Sequence, residues 1–193
     1  LSVSNSSTSS QASCKVCSVI GFPLGAMSCA AKVFEAKTAV EQGADEIDMV
    51  LAWRALKAGD AATARAGVEA CRAACGPGIS LKLILESGEL GTPGLIRAAS
   101  DIGLDAGVDF LKTSTGKVPV NATLEAAVVM LDAIAARGGR CGFKAAGGVR
   151  TLTEAQAYLT LAEARFGADW ITPAHFRFGA SALLGAVTSA LAE

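Results

Sequence analysis

The sequence holds a single histidine, His175, among 193 residues. Because imidazole is the commonest metal ligand, this scarcity excludes the usual histidine-based metal motifs. Neither sign of charge is in large excess, since 17 lysines and arginines stand against 18 aspartates and glutamates, for a formal net charge of -1. Such a chain offers no strongly basic surface to nucleic acid or to an anionic membrane. Neither is therefore expected as a partner.

Long apolar runs are also missing, and none approaches the roughly 18 residues that would span a bilayer. Residues 1–13 are rich in serine and have neither the basic nor the apolar region of a secretory signal. Their polar composition predicts a disordered tail. The remaining residues, 14–193, fit one domain of ordinary size. The sequence thus predicts a soluble, cytoplasmic protein.

Six cysteines are present, but their spacing argues against a metal site. Cys14 and Cys17 lie in a strand-like segment, where residues three apart face opposite sides. Cys71 and Cys75 share a helical face, yet two thiolates without a nearby histidine make a poor zinc site. The six cysteines are predicted to be buried free thiols.

Short apolar runs alternate with alanine-rich stretches that have helical periodicity. The predicted strands are Lys15–Ile20, Glu46–Leu51, Ser80–Glu86, Asp109–Thr113, Gly142–Ala146 and Asp169–Thr172. The predicted helices are Ala30–Gln42, Ala61–Ala74, Pro93–Ala106, Leu124–Arg137 and Thr153–Ala164. Strict alternation of strand and helix indicates a parallel sheet, either open or closed into a barrel.

Polar residues near the ends of several strands favour the barrel. Asp48, Glu86, Lys112, Lys144 and Thr172 all stand at such positions, as expected for the carboxyl-terminal face of a TIM (β/α)8 barrel. The first strand leads into a turn that lacks the G-x-G-x-x-G pattern of an open nucleotide-binding sheet. Six strand signals predict an α/β barrel of the TIM type without its first two β/α units.

Two glycine-rich segments follow the last strands and indicate a phosphate site. Gly147 and Gly148 lie in the first segment, and Gly179 and Ser181 in the second. Backbone N–H groups there could approach an anion, as happens after strands 7 and 8 of many barrels. Arg150 would add a positive charge. The alternative is that these glycines only make tight turns.

Two lysines, Lys112 and Lys144, lie in apolar strand-like runs, each just ahead of a turn rich in glycine or hydroxyl groups. If both point into the barrel, one ammonium lowers the pKa of the other and leaves a nucleophilic amine. The alternative is that each extends its ammonium into water. Asp48 could orient a lysine and relay a proton, or form a structural ion pair.

Further candidates surround this lysine pair. Lys82 and Glu86 share one strand face and are assigned to the same polar cluster. Thr113, Thr115 and Lys117 follow Lys112 and are assigned to substrate binding, although a loop lysine such as Lys117 is also expected to be solvated.

Several segments resemble the 2-deoxy-D-ribose-5-phosphate aldolases, a family of class I aldolases. The similarity runs from about Cys14 to the C-terminus, and the motifs KTSTG and GFKxAGGxRT in this order are highly specific. The segments that carry it are GADEIDMV, LKLILESGEL, FLKTSTGKVPVNAT, GFKAAGGVRT and GADWITPAHFRFGAS.

The resemblance implies reversible cleavage of 2-deoxy-D-ribose 5-phosphate to acetaldehyde and glyceraldehyde 3-phosphate. It makes Lys112 the Schiff-base lysine, Lys144 the second lysine that lowers its pKa, and Asp48 the proton-relay acid. It places phosphate at the two glycine-rich segments, requires neither metal nor organic cofactor, and suggests a homodimer.

Two departures from the family pattern stand out. Ala182 occupies the position of a second family serine, and no segment matches the first two strands of the family. The alternatives are an inactive or partner-dependent barrel remnant that binds a sugar phosphate, and another lysine-imine aldolase acting on a different phosphosugar.

Overall fold

The computed structural model describes residues 14–192, and the tail predicted for residues 1–13 lies outside them. The strands are β1 (Cys17–Ile20), β2 (Glu46–Val50), β3 (Ser80–Ile84), β4 (Phe110–Lys112), β5 (Gly142–Ala146) and β6 (Phe176–Gly179). The α-helices are α1 (Cys29–Glu41), α2 (Trp53–Lys57), α3 (Ala61–Cys75), α4 (Ser87–Leu90), α5 (Pro93–Asp105), α6 (Leu124–Ala136), α7 (Leu152–Phe166) and α8 (Ser181–Leu191). A 3₁₀ helix spans Ala168–Trp170.

The strands form one parallel sheet whose spatial order, β1-β2-β3-β4-β5-β6, follows the chain. The sheet is curled, because Arg177 on β6 contacts Glu46 on β2 at 2.8 Å. In a flat sheet, four strand spacings would separate these positions by about 19 Å. Consecutive parallel strands, helical crossovers and strong curvature are the architecture of the TIM barrel, with six strands in the described residues. The predicted fold class is confirmed.

The two faces of the sheet differ in chemistry. Ile47 and Met49 on β2 are fully buried in the hydrophobic core, whereas Glu46 and Asp48 alternate with them and point to the concave side. Helix α5 packs very closely on the sheet at Gly103, where a Cβ would lie 2.9 Å from Leu83 and Leu111 side chains. The outer face therefore carries the packing, and the inner face carries the charges.

Helix boundaries follow the local sequence. Thr123 and Thr151 each cap a helix by accepting a hydrogen bond from a backbone N–H, and Thr151 forms a capping box with Glu154. Gly76 and Gly167 end helices with positive φ angles of 69° and 83°. These short-range signals explain why the five predicted helices match the observed ones to within two residues.

One predicted strand is wrong. Residues 169–172 do not form a strand, because Ala168–Trp170 is a 3₁₀ turn in which Trp170 stacks on Phe166 at 4.1 Å between ring centroids. Trp170 also donates its indole N–H to the Gly139 carbonyl at 2.7 Å. The sixth strand is instead Phe176–Gly179, so Thr172 does not stand at a strand end.

The cysteine prediction is correct only in part. All six thiols are free, but Cys14, Cys17 and Cys29 are exposed, and only Cys71, Cys75 and Cys141 are buried.

Among residues 14–192, no helix has the length and apolar character needed to cross a membrane.

Candidate active site

The concave side of the sheet brings Lys112 and Lys144 together. They occupy the same register position on the neighbouring strands β4 and β5, so their side chains leave the sheet on the same side. Both amines donate to one oxygen of Asp48 on β2: Lys112 Nζ lies 2.7 Å and Lys144 Nζ 2.9 Å from Asp48 Oδ2. Because they share this oxygen, the two nitrogens lie within about 6 Å of each other, close enough for each charge to affect the other.

Burial makes these charges interact strongly. Asp48 is 2% exposed and Lys112 is 8% exposed. Burial lowers the pKa of the Lys112 amine; Asp48 opposes this effect and the Lys144 charge adds to it, so the net pKa is below its ordinary value. Burial would raise the pKa of Asp48, but Lys112, Lys144 and Lys82 outweigh it and hold that carboxyl pKa well below its usual range. The site therefore combines a carboxylate that stays ionised with an amine that loses its proton more easily than an ordinary lysine does.

The two glycine-rich segments meet beside these lysines. The Gly147 N–H donates to the Gly179 carbonyl across 3.4 Å. A Cβ on Gly179 would lie 3.2 Å from Lys144 Cε. Gly147 and Gly148 have φ angles of 81° and 90°, a conformation that side-chain-bearing residues rarely adopt.

Helix α8 begins at Ser181, directly after this junction, and its N-cap residue Ala180 gives no side-chain cap. The first N–H groups of the helix are therefore open to an anion. Gly179 is the last residue of the observed strand β6. The second glycine-rich segment therefore begins where this strand ends, as the phosphate-binding loops of many barrels do.

A model of the DeoC/LacD family aldolases matches residues 6–187. The chain belongs to this aldolase family.

Solved structures of related aldolases agree with this assignment. A candidate deoxyribose-phosphate aldolase from Coccidioides immitis is 33% identical with a TM-score of 0.79, covering 92% of this chain. The apo form of one from Toxoplasma gondii ME49 is 30% identical with a TM-score of 0.84, covering 91% of this chain. The tetrameric deoxyribose phosphate aldolase of Aeropyrum pernix is 30% identical with a TM-score of 0.73, covering 92% of this chain.

This aldolase-family chain is shorter than those proteins. It spans 64% of the Coccidioides chain, 70% of the Toxoplasma chain and 68% of the Aeropyrum chain.

The remaining predicted site residues of this aldolase-family chain do not all face the lysines. The Thr113 hydroxyl donates to the Ala146 carbonyl and accepts from the Ala146 N–H, which ties β4 to β5. Thr115 donates its hydroxyl to Glu86 at 2.6 Å. Lys117 and Arg150 are exposed. Thr113 is therefore a link within the sheet, and Lys117 and Arg150 lie at the surface.

Glu86 is separate from the lysine cluster to which the sequence assigned it. It follows β3 rather than ending it, has a φ angle of 57°, and is fully buried. Both of its carboxylate oxygens accept hydrogen bonds from Thr115. Glu86 therefore holds the loop after Lys112, whereas Lys82 does contact Asp48, at 2.8 Å.

Three residues of the charged cluster around Asp48 were not predicted as site residues: Glu46, Arg177 and Cys17, whose thiol donates to Asp48 Oδ1 at 3.2 Å. Glu46 accepts from Arg177 with both oxygens at 2.8 Å and pairs with Lys82 at 2.6 Å. A signal for Glu46 existed, because it lies two residues before Asp48 and so shares its strand face. Arg177 had no such signal, since the strand that carries it was assigned to the wrong residues.

Proposed function

We propose that this chain is a class I aldolase that reversibly cleaves 2-deoxy-D-ribose 5-phosphate to acetaldehyde and D-glyceraldehyde 3-phosphate. The observation that carries the proposal is the contact of Lys112 and Lys144 with the same oxygen of Asp48. Membership of the DeoC/LacD aldolases and similarity to deoxyribose-phosphate aldolases support it. The proposal includes a cytoplasmic role in deoxyribose catabolism.

Lys112 is the nucleophile in this mechanism. Its lowered pKa leaves a larger neutral fraction near neutral pH than an ordinary lysine has. The neutral amine attacks C1 of the open-chain sugar, and loss of water from the carbinolamine gives an iminium. The iminium accepts the electron pair of the C2–C3 bond as the C3 hydroxyl passes its proton, through water, to Asp48, which leaves an enamine and glyceraldehyde 3-phosphate. Protonation of the enamine at C2 and hydrolysis then release acetaldehyde and free Lys112.

Lys144 and Asp48 move protons in these steps, together with water. Lys144 Nζ lies 2.9 Å from Asp48 Oδ2, within direct hydrogen-bond reach. The carboxylate is held in its charged form by the lysines around it. That hold weakens as the C2–C3 electron pair neutralises the iminium nitrogen of Lys112. Asp48 therefore becomes better able to accept the C3 hydroxyl proton as the bond breaks.

The phosphate of the substrate binds at the junction of the two glycine-rich segments. Gly147, Gly148 and Gly179 let backbone N–H groups approach it, and Ser181 adds a hydroxyl at the first turn of α8. Lys117 and Arg150 supply positive charge from exposed positions. The junction adjoins Lys144, so a substrate bound there by its phosphate extends its carbon chain towards the lysine pair.

Borohydride trapping with acetaldehyde, followed by peptide mass spectrometry, tests this function. We expect an adduct on Lys112, its loss in Lys112→Met, and its retention in Lys37→Met, which removes an exposed lysine of α1. A folded protein that forms no adduct, or forms one on Lys144, contradicts the proposal. Turnover of different phosphosugars separates it from another lysine-imine aldolase, and light scattering tests the predicted homodimer.

A further inference from the structure

Lys82 is a fully buried lysine inside the curled sheet, with an exposed fraction of 0%. Its Nζ lies 2.6 Å from Glu46 Oε2 and 2.8 Å from Asp48 Oδ1. A buried ammonium is stable only when paired with opposite charge. Each of these two carboxylates also has other cationic partners, Lys112 and Lys144 for Asp48 and Arg177 for Glu46, so Lys82 links two parts of one charged cluster.

The two oxygens of Asp48 have different partners. Oδ1 accepts from Lys82 at 2.8 Å and from the Cys17 thiol at 3.2 Å, and Oδ2 accepts from Lys112 and Lys144 at 2.7 and 2.9 Å. Lys82 thereby fixes the rotation of the carboxylate about its Cβ–Cγ bond. Because Lys82 of β3 holds Oδ1, the other oxygen, Oδ2, is directed to the lysines of β4 and β5.

Lys82 is itself held by a further ion pair, which connects it to β6 on the same concave face. Glu46 binds it and accepts from Arg177 with both oxygens at 2.8 Å. The Arg177 guanidinium is fixed in turn by the Phe110 ring, 4.7 Å away, and by a hydrogen bond from Nε to the Pro173 carbonyl at 2.7 Å. A single guanidinium nitrogen, Nη1, contacts both Glu46 oxygens, so a continuous chain of charged contacts runs from Arg177 through Glu46 and Lys82 to Asp48.

We propose that Lys82 is a positioning residue that holds Asp48 between the two reactive lysines and takes up part of its negative charge, so that Lys112 releases its proton more readily. This inference rests on the proposed function. An unshared carboxylate beside Lys112 would favour its ammonium form. The charge of Lys82 offsets that attraction while leaving the hydrogen bonds of Oδ2 in place.

The titration of the two lysines supports this division of roles. Burial alone would lower the pKa of Lys82, but Asp48 and Glu46 outweigh it and raise that pKa above its ordinary value. Lys82 therefore remains charged over the range in which Lys112, with its lowered pKa, loses its proton. The titratable and charged groups that face this cluster from the six strands are Cys17, Glu46, Asp48, Lys82, Lys112, Lys144 and Arg177, and Lys15 lies 3.8 Å from Glu46.

The test is the pH dependence of borohydride trapping on Lys112, measured with acetaldehyde in the full chain. Lys82→Met keeps the length of the side chain and removes its charge, and we expect the midpoint to rise by about one pH unit. Lys82→Arg keeps the charge, and we expect its midpoint to return to that of the unsubstituted chain. An unchanged midpoint in a folded Lys82→Met protein overturns the inference.

Lys32→Met is the matched control, because Lys32 is also buried, at 2% exposure, but donates to the Gly25 and Val50 carbonyls rather than to Asp48. We expect lower stability and no change in the trapping midpoint. A shift equal to that of Lys82→Met would reduce Lys82 to a structural role and overturn the inference.

Glu46→Gln decides the matter if Lys82→Met does not fold. It removes negative charge beside Lys82 and keeps the cation, so we expect the midpoint to move down; a midpoint that moves up overturns the inference. If the unsubstituted chain forms no Lys112 adduct, the proposed function fails and this inference with it. If that adduct forms normally and only the predicted shifts are missing, the proposed function stands and the inference alone fails.

Discussion

Lys112 and Lys144 stand at the same register position of adjacent parallel strands, and their amines meet on one carboxylate oxygen. Parallel register alone places two such side chains about one strand spacing apart at their Cα atoms, roughly 4.8 Å. Two long cations so close repel each other unless an anion lies between them or one of them is neutral. Asp48 is the anion that lies between them, and burial of Lys112 favours its neutral form.

Replacing Lys144 with leucine is expected to raise the pH at which Lys112 is trapped. The Lys144 charge lowers the pKa of Lys112, so its removal raises that pKa and reduces the neutral fraction at any given pH. We expect the midpoint of borohydride trapping to rise by about one pH unit, with unchanged circular dichroism. Lys37→Leu, on the exposed surface, serves as the control, and an unchanged midpoint in Lys144→Leu would mean that the two amines do not interact.

Replacing Asp48 with asparagine is expected to destabilise the chain at neutral pH. Three lysines would lose their shared anion in a buried site, and breaking a buried pair in this way costs about 3–5 kcal/mol. Urea unfolding at pH 7 measures the difference in the free energy of unfolding. Asp169→Asn removes an exposed carboxylate and is expected to change little.

The same comparison has a defined pH dependence. Because the pKa of Asp48 is lowered in the folded chain, its stabilisation is fully present above the unfolded value of about 4 and is lost as the pH falls below it. The difference between the two proteins should therefore be constant from pH 7 to 5 and should shrink below about pH 4. A difference that grows on acidification contradicts the ion-pair account.

The elements that the sequence predicted well are those specified by short-range patterns. Strand β5, Gly142–Ala146, was predicted with its observed bounds, and the five alanine-rich helices were predicted to within two residues at each end. Strand β6 was missed because the sixth strand was assigned to residues 169–172, and Ala168–Trp170 forms a 3₁₀ turn instead. What holds Arg177 there is Glu46, 131 residues away along the chain, and no local pattern records that contact.

The candidate site was predictable to the same extent. Alternation along β2 and the lysines set in the apolar strands β4 and β5 indicated Asp48, Lys112 and Lys144, because a strand face repeats every two residues. Which lysine contacts which oxygen of Asp48 could not be inferred. That depends on how far the sheet curls and on which lysines reach across it. Three-dimensional closure, rather than residue type, determines that part of the site.

Replacing Thr115 with valine is expected to loosen the loop that follows Lys112. The Thr115 hydroxyl donates to Glu86, a fully buried carboxylate, and valine keeps the shape of threonine without the donor. Loss of a hydrogen bond to a buried charged group costs about 1.5–3 kcal/mol, which urea unfolding measures. Thr188→Val is the matched control, because Thr188 bonds only backbone carbonyls of its own exposed helix; equal losses in the two variants would argue against a special role for Glu86.

Replacing Gly179 with alanine is expected to disturb both the phosphate junction and Lys144. The new Cβ would lie 3.0 Å from Ala146 Cβ and 3.2 Å from Lys144 Cε, so the lysine has to shift from its 2.9 Å contact with Asp48. We expect a higher trapping midpoint for Lys112, weaker inhibition of trapping by inorganic phosphate, and a stability loss of about 1–3 kcal/mol. Gly185→Ala, in the same region, meets open space within helix α8 and should instead stabilise the chain by about 0.5–1 kcal/mol while leaving trapping unchanged. If Gly179→Ala leaves the trapping midpoint and phosphate inhibition as they were, the glycine segment does not form part of the site.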